Sequence, residues 1–240
     1  MIFNSLILGK RELNETLSTF SFVRPATFDF KAGQFLIISF NSNFSESHPF
    51  SISSSPLDGV LEISTRKLGP FTTKLHSAPL GSNMWIKGPY GVFTIQDSKS
   101  EIILIAGGVG ITPFLSMLRY ETHSKLKRDI TLVYSVRETG DFLEKKTLEK
   151  LAISNKRLHL MYLISGEAPQ GWDGLVGRVD KNFLSQKFTS FSDKIVYLCG
   201  PPPMVASLKE ALASLGLPNE NLHIDNWEFA KQVSSGIVKD

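Results

Sequence analysis

The stretch Glu101–Pro113, EIILIAGGVGITP, decides the fold. Its consecutive apolar residues Ile102–Ala106 predict a strand buried on both faces. A Gly-Gly-Val-Gly turn follows, and Thr112-Pro113 opens a segment, PFLSMLRY, that reads as a helix. Glycine lets the backbone turn tightly and approach a ligand with no Cβ in the way. Proline is preorganised for a first helical turn. The unpaired N–H groups of a helix start, with the positive end of its dipole, suit a phosphate. Taken alone, a turn of this composition is equally a plain strand-to-helix connection. A second element, IVYLCGPPPM at Ile195–Met204, repeats the pattern of buried strand, Gly-Pro loop and helix.

Outward from these two elements the chain has two grammars. Downstream of the spacer Gln96–Ser100, strands alternate with helices. The expected strands are Ile102–Ala106, Ile130–Val136, Leu158–Ile164, Ile195–Cys199 and a short one near Leu222–Asp225. The expected helices are Pro113–Tyr120, Leu143–Ala152 and Met204–Leu215. In the last, Met204, Leu208, Ala211, Leu212 and Leu215 form an apolar stripe, and Gly216 is a stop. Such alternation predicts an α/β, Rossmann-like parallel sheet with right-handed crossovers, whose ligands bind beyond the carboxyl ends of the strands. Upstream, the expected strands are Leu6–Lys10, Thr16–Val23, Gln34–Phe40, Phe50–Ser54, Val60–Arg66 and Asn83–Lys87. Turns such as Lys31-Ala32-Gly33 and Pro56–Gly59 separate them, and one short helix is expected at Thr72–His76. This half predicts a six-stranded antiparallel β-barrel. The expected organisation is a barrel domain over 1–97, an α/β domain over 98–229 and a tail over 230–240.

Bulk composition narrows the function classes. The 240 residues are 42% hydrophobic and 20% charged, with a net charge of +3, as in ordinary globular chains. No basic stripe with interleaved aromatics is present, which argues against nucleic acid as a partner. The single cysteine, Cys199, excludes a disulfide within the chain and fits a reducing, cytoplasmic setting. It also excludes a four-cysteine zinc or iron–sulfur site built by this chain, and no metal site is expected. The start MIFNSLILGK reads as a first strand, not a signal peptide, because its basic residues follow the apolar run. No apolar stretch is long enough to span a bilayer.

Seven motifs carry a resemblance: HPFSISS (His48–Ser54), RKLGPFTTKL (Arg66–Leu75), GPYG (Gly88–Gly91), AGGVGITP (Ala106–Pro113), YSVR (Tyr134–Arg137), GR (Gly177–Arg178) and CGPPPM (Cys199–Met204). In this order they resemble the ferredoxin–NADP reductase superfamily, from the first barrel strands to about Phe229. Singly, each also fits a loop-to-strand junction, a core residue or a helix cap; the ordered set is what is specific. The resemblance implies an FAD-binding barrel, a nicotinamide-nucleotide domain and a flavin in the cleft between them. The flavin motif departs from the usual Arg-x-Tyr-Ser. His48-Pro49-Phe50-Ser51 is similar to the ferric reductase and NADPH oxidase branch. By that resemblance Phe50 stacks on the flavin ring and Ser51 reaches its N5 region. His48 replaces the phosphate-binding arginine, a poorer counter-ion, so a second cation should compensate. Arg66 matches a basic position of that branch, and Gly69 with the amides of Phe71, Thr72 and Thr73 would cradle the pyrophosphate.

For the nucleotide, the resemblance assigns Gly108, Gly110 and Thr112 to the dinucleotide loop. It places Cys199 at the edge of nicotinamide C4, with Gly200, Pro201 and Met204 in the adjoining wall; Pro201–Pro203 cannot donate backbone hydrogen bonds and make a rigid turn. Ser135 and Arg137, assisted by Arg178, stand where a 2′-phosphate would be read, which favours NADPH with NADH as the alternative. In the segment His223–Phe229 an aromatic covers the flavin, Trp227 first and Phe229 second, and Asp225 matches the family's acidic residue. The implied activity is NAD(P)H-dependent FAD reduction, with Ser51, Cys199 and Trp227 as catalytic residues, followed by electron transfer to a separate acceptor. That acceptor would be a ferredoxin, a flavodoxin, a haem protein or a ferric chelate, and the HPFS form points to a haem or membrane-associated partner. Two readings of other classes stay open: a non-catalytic regulatory subunit, favoured by His48, and a nucleotide-binding sensor.

Overall fold

Alternating side chains build the first unit. The computed structural model describes residues 1–98, 100–125, 128–225 and 227–234, with the side chains of 227–229 outside the description. Strands β1 (Ile2–Glu12), β2 (Leu17–Val23), β3 (Phe35–Ser39), β4 (Ser47–Ser51), β5 (Val60–Arg66) and β6 (Asn83–Tyr90) pair antiparallel in the order β4-β3-β6-β1-β2-β5. An antiparallel bridge from Ile52 to Ile63 joins the two edge strands and closes the ring. Every second residue points inward, so Phe20 and Phe22, Leu36 and Ile38, Leu61 and Ile63, and Met84 and Ile86 share one core. Helix α1 (Pro70–Ser77) adds Leu75 to it. Full burial of each such side chain contributes about 1.5–3 kcal/mol.

The second unit is an all-parallel sheet. Strands β7 (Ile102–Gly107), β8 (Ile130–Val136), β9 (Leu158–Ile164), β10 (Leu175–Val176), β11 (Ile195–Cys199) and β12 (Leu222–Ile224) lie in the order β10-β9-β8-β7-β11-β12. Every residue of β7, β8 and β11 is buried, which is why these strands are dominated by apolar residues on both faces, with only Thr131 and Ser135 of β8 polar among them, rather than alternating. Its helices are α3 (Lys145–Ser154), α4 (Lys181–Lys187) and α5 (Pro202–Ser214). The chain leaves β7 towards β8 on one side and later returns to β11 on the other. The switch point of the sheet therefore lies between the carboxyl ends of β7 and β11.

Two helices depart from the expected organisation. Helix α2 (Thr112–His123) gives its residues Thr112–Tyr120 to the barrel unit, which among the described residues also comprises Met1–Ile95 and 227–234. The Ser116 hydroxyl donates to Ser54 O at 2.6 Å, and Arg119 donates to Ser53 O at 3.1 Å and to Glu62 Oε2 at 2.5 Å. Helix α6 (Trp227–Ser234) also belongs to the barrel: Ala230 and Val233 cover Phe35 and Ile37. Ala230–Ser234, read from the sequence as the start of a tail, are thus part of an amphipathic helix with a buried face.

Candidate functional site

The flavin motif lies on β4, where pairing with β3 fixes which way each side chain points. His48 and Phe50 face one side, opposite Ile38 and Leu36; Ser47, Pro49 and Ser51 face the other, opposite Ser39, Ile37 and Phe35. Phe50 is consequently part of the barrel core, 6% exposed, with Phe71 at 5.9 Å and His48 at 5.5 Å between ring centroids. The ring of His48 stacks on Phe71 at 5.5 Å and 21°. His48 therefore stands beside the opening turn of α1. Partial burial, and next the ammonium of Lys231, hold its imidazole below the ordinary histidine pKa. Ser51, 4% exposed, makes no side-chain hydrogen bond among the described residues. A nearly buried hydroxyl with unspent donor capacity fits a polar ligand atom.

The turn into α1 divides its labour. The Thr72 hydroxyl accepts from the N–H groups of Leu68 and Gly69, at 2.9 and 3.0 Å, and donates back to Gly69 O. It is engaged in holding the turn, so a phosphate would meet the Thr72 N–H rather than its hydroxyl. Thr73 N–H already donates to Gly69 O at 2.9 Å, which removes it from the expected cradle. The N–H groups of Phe71 and Thr72 precede the first intrahelical bond and so have no acceptor within the helix. A Cβ on Gly69 would meet nothing within 4 Å, so the approach to these donors is open. Arg66 ends β5 three residues earlier, with Nη1 3.5 Å from Thr16 Oγ1. An unspent Ser51 hydroxyl, the helix-start amides of Phe71 and Thr72 and an open glycine are together compatible with a flavin nucleotide.

At the switch point of the second unit two loops meet backbone to backbone. A Cβ on Gly110 would lie 2.4 Å from Cys199 O, and one on Gly107 2.5 Å from Met204 Sδ and 2.8 Å from Pro201 Cδ. Glycine is required here by close approach. Gly108 is different: its φ is +55° and its Cβ position is open, so it supplies a left-handed turn next to free space. Cys199 is buried and donates its thiol to Asp225 Oδ2 at 3.4 Å, while Asp225 N–H is held by Leu198 O. Ser135 is nearly buried at the end of β8, and Arg137 beyond it is exposed. The N–H of Gly166 donates to Arg137 O at 3.1 Å and fixes this turn. Arg178 is exposed just past β10.

The structure thus gathers Gly108, Gly110, Cys199, Gly200, Pro201 and Met204 at one rim, and His48, Phe50, Phe71 and Thr72 at one edge of the barrel. Thr112 is buried at the head of α2, in the residues that cluster with the barrel. Trp227 and Phe229 lie in α6, but their side chains fall outside the described residues. Two functional candidates were underweighted in the sequence: Gly107, which reads as the strand's last residue, and Lys231, which lies beyond the last family-like aromatic. Among the described residues no cluster of metal-ligating side chains exists, and no helix is long and apolar enough to cross a membrane.

Two family models match successive parts of the chain. A family model for an FAD-binding domain matches residues 4–108, and one for an oxidoreductase NAD-binding domain matches residues 104–210. The gamma subunit of sulfhydrogenase 1 from Pyrococcus furiosus is 31% identical over 232 residues, covering 94% of this chain and 77% of that protein. The reductase subunit of glycine betaine monooxygenase from Chromohalobacter salexigens is 28% identical over 219 residues, covering 87% of this chain and 60% of that protein. The chain spans only 50–57% of the NADH-cytochrome b5 reductases it also matches. Among solved structures, a ferredoxin–NADP+ reductase from Neisseria gonorrhoeae with bound FAD and NADP superposes with a TM-score of 0.79 at 21% identity, covering 94% of this chain and 98% of that one. The flavohaem-like FAD/NAD-binding domain of a Vibrio cholerae nitric oxide dioxygenase gives 0.83 at 20% identity, covering 92% and 97%. With its barrel, its parallel sheet and its two nucleotide-ready edges, the chain belongs to the ferredoxin–NADP reductase superfamily of FAD- and NAD(P)-dependent oxidoreductases.

Proposed function

We propose that this chain takes hydride from NADPH and delivers the electrons, through FAD, to a separate acceptor. The observation that carries the reading is the rim at the switch point, where Gly110 touches Cys199 and the Cys199 thiol is oriented by Asp225. When bound, FAD supplies the conversion between a two-electron donor and one-electron acceptors. The protein's own contribution is placement. Gly107, Gly108 and Gly110 leave room for a pyrophosphate; Pro201–Pro203 stiffen the wall beside the nicotinamide; Cys199 Sγ marks the position of C4. Ser51 offers its hydroxyl to the flavin N5 region, and hydride transfer needs the reacting atoms within about 3–3.5 Å. Trp227, or failing it Phe229, covers the flavin ring and gives way to nicotinamide. Ser135 and Arg137 read a 2′-phosphate and set the preference for NADPH over NADH.

Relatives named as reductase subunits or components support an acceptor that is another protein, and the HPFS form favours a haem-linked or ferric one. The test is anaerobic mixing of FAD-loaded protein with NADPH and NADH separately, followed by titration with ferricyanide, a ferredoxin, a cytochrome and a ferric chelate. Rapid bleaching of the flavin by NADPH and reoxidation by one acceptor are expected. A colourless protein that refuses FAD would instead mark a regulatory subunit; binding of NADPH without ferricyanide reduction would mark a sensor.

A further inference from the structure

The flavin motif carries His48 where the superfamily pattern carries an arginine, and partial burial, then the ammonium of Lys231, lower the pKa of His48, so its imidazole is a weaker cation than a guanidinium. The pyrophosphate edge therefore lacks the usual cation on β4. The structure brings another cation to the same strand. Helix α6 packs Ala230 and Val233 onto Phe35 and Ile37 of β3. It is pinned to β4 by Ser47, whose hydroxyl lies 3.2 Å from Ser234 Oγ and donates to Ser234 O at 3.3 Å. Ser47 immediately precedes His48, whose side chain faces the other side of the strand, so α6 reaches His48 around the strand's edge, from where the Lys231 charge acts on the imidazole. Lys231 is three residues before Ser234, hence on the same side of the helix and one turn earlier. Its side chain is exposed and has no carboxylate partner among the described residues. The neighbouring cation on α1, Lys74, is already committed: it is 2.9 Å from Glu46 Oε2 and 4.3 Å from the Phe40 ring.

We propose that Lys231, carried by α6, supplies, alongside Arg66 of β5, positive charge that a bound FAD pyrophosphate needs at the edge of β4 and that His48 does not provide. The inference rests on the proposed flavin function and adds to it a binding residue from outside every motif of the family pattern. An ammonium on a helix docked by two serines and two apolar contacts is placed without being buried, so it keeps its charge and stays available to an anion.

The test is FAD affinity itself, measured by quenching of flavin fluorescence at low and at high salt, for the wild type and for Lys231→Ala, Lys231→Arg and Lys231→Glu. Lys231→Ala should bind FAD about five- to tenfold more weakly at low salt, with the gap narrowing at high salt as screening replaces the lost charge. Lys231→Arg should stay near the wild type, and Lys231→Glu should be weaker than Lys231→Ala. Wild-type affinity in Lys231→Ala would overturn the assignment while leaving the flavin function intact. So would a loss in Lys231→Ala that is independent of salt and shared by Lys231→Arg, which would report a displaced helix. A wild-type protein that fails to bind FAD would remove the functional reading itself and Lys231 with it.

Discussion

Single residues here answer to two different constraints, space and hydrogen-bond capacity. Gly110 is a case of space: an added Cβ at 2.4 Å from Cys199 O cannot be relieved by a side-chain rotation, because the obstacle is backbone. Gly110→Ala should cost about 1–3 kcal/mol of stability and weaken dinucleotide binding, both measurable by denaturant titration and NADPH titration. Gly108→Ala meets no atom, but its φ of +55° makes it strained, so a smaller loss is expected. Ser51 is a case of capacity. Ser51→Ala should leave FAD bound within about twofold and slow flavin reduction at least about tenfold, read by anaerobic stopped flow. An unchanged rate would remove Ser51 from the chemistry. Both residues were legible in the sequence, since glycines after a buried strand and a serine in a recognisable motif announce themselves. The commitment of the Thr72 hydroxyl and of the Thr73 amide to their own turn was not, because it depends on the detailed path of Leu68 and Gly69.

Elements were legible in proportion to how apolar and how long they are. The runs Ile102–Ala106, Ile130–Val136 and Ile195–Cys199 are strands as read, because complete burial leaves no alternation to misjudge. The flavin strand was placed three residues late. Ser47 and His48 are polar, and only pairing with Ser39 and Ile38 makes them strand. Helices α4 and α6 were missed: α4 is seven residues long and declares itself only through the Asp180 side chain, which accepts from Phe183 N–H. Helix α6 hides its purpose in two small contacts, Ala230 and Val233. At this scale the proposed function assigns nucleotide choice to the carboxyl end of β8. Arg137→Ala should weaken NADPH at least about tenfold and NADH little, by comparison of KM values. Equal losses would argue against a 2′-phosphate contact. Trp227→Ser, at the head of α6, should strengthen nicotinamide binding and the charge-transfer band.

For the molecule as a whole, stability should respond to pH through its histidines. Burial is the first cause that lowers the pKa of His48, His76 and His223, and His76 is also pressed by Lys10 and Lys67. A histidine whose folded pKa is depressed stays neutral in the native state while the unfolded chain takes up a proton, so stability is intact above the unfolded value of about 6.5 and falls as pH drops below it. Glu121 acts in the opposite sense: burial raises its pKa, so its contribution is fullest below its unfolded value of about 4.3 and is lost as pH rises. Three groups against one predict a net loss between about pH 6.5 and 5. His76→Phe, which removes a buried Nε2 with no partner next to Phe20, should flatten that loss in urea denaturation at pH 5 and leave stability at pH 8 equal or higher. The barrel is a discontinuous unit, and that has a consequence for how the chain can be handled. A fragment ending at residue 97 would strip Phe35 and Ile37 of their cover and take the Arg119 guanidinium from Glu62, leaving it the longer 4.0 Å contact with Arg11. On the ribosome the same connectivity means that the first strands to emerge wait for residues near position 230 before their ring is sheathed, so synthesis order and folding order diverge.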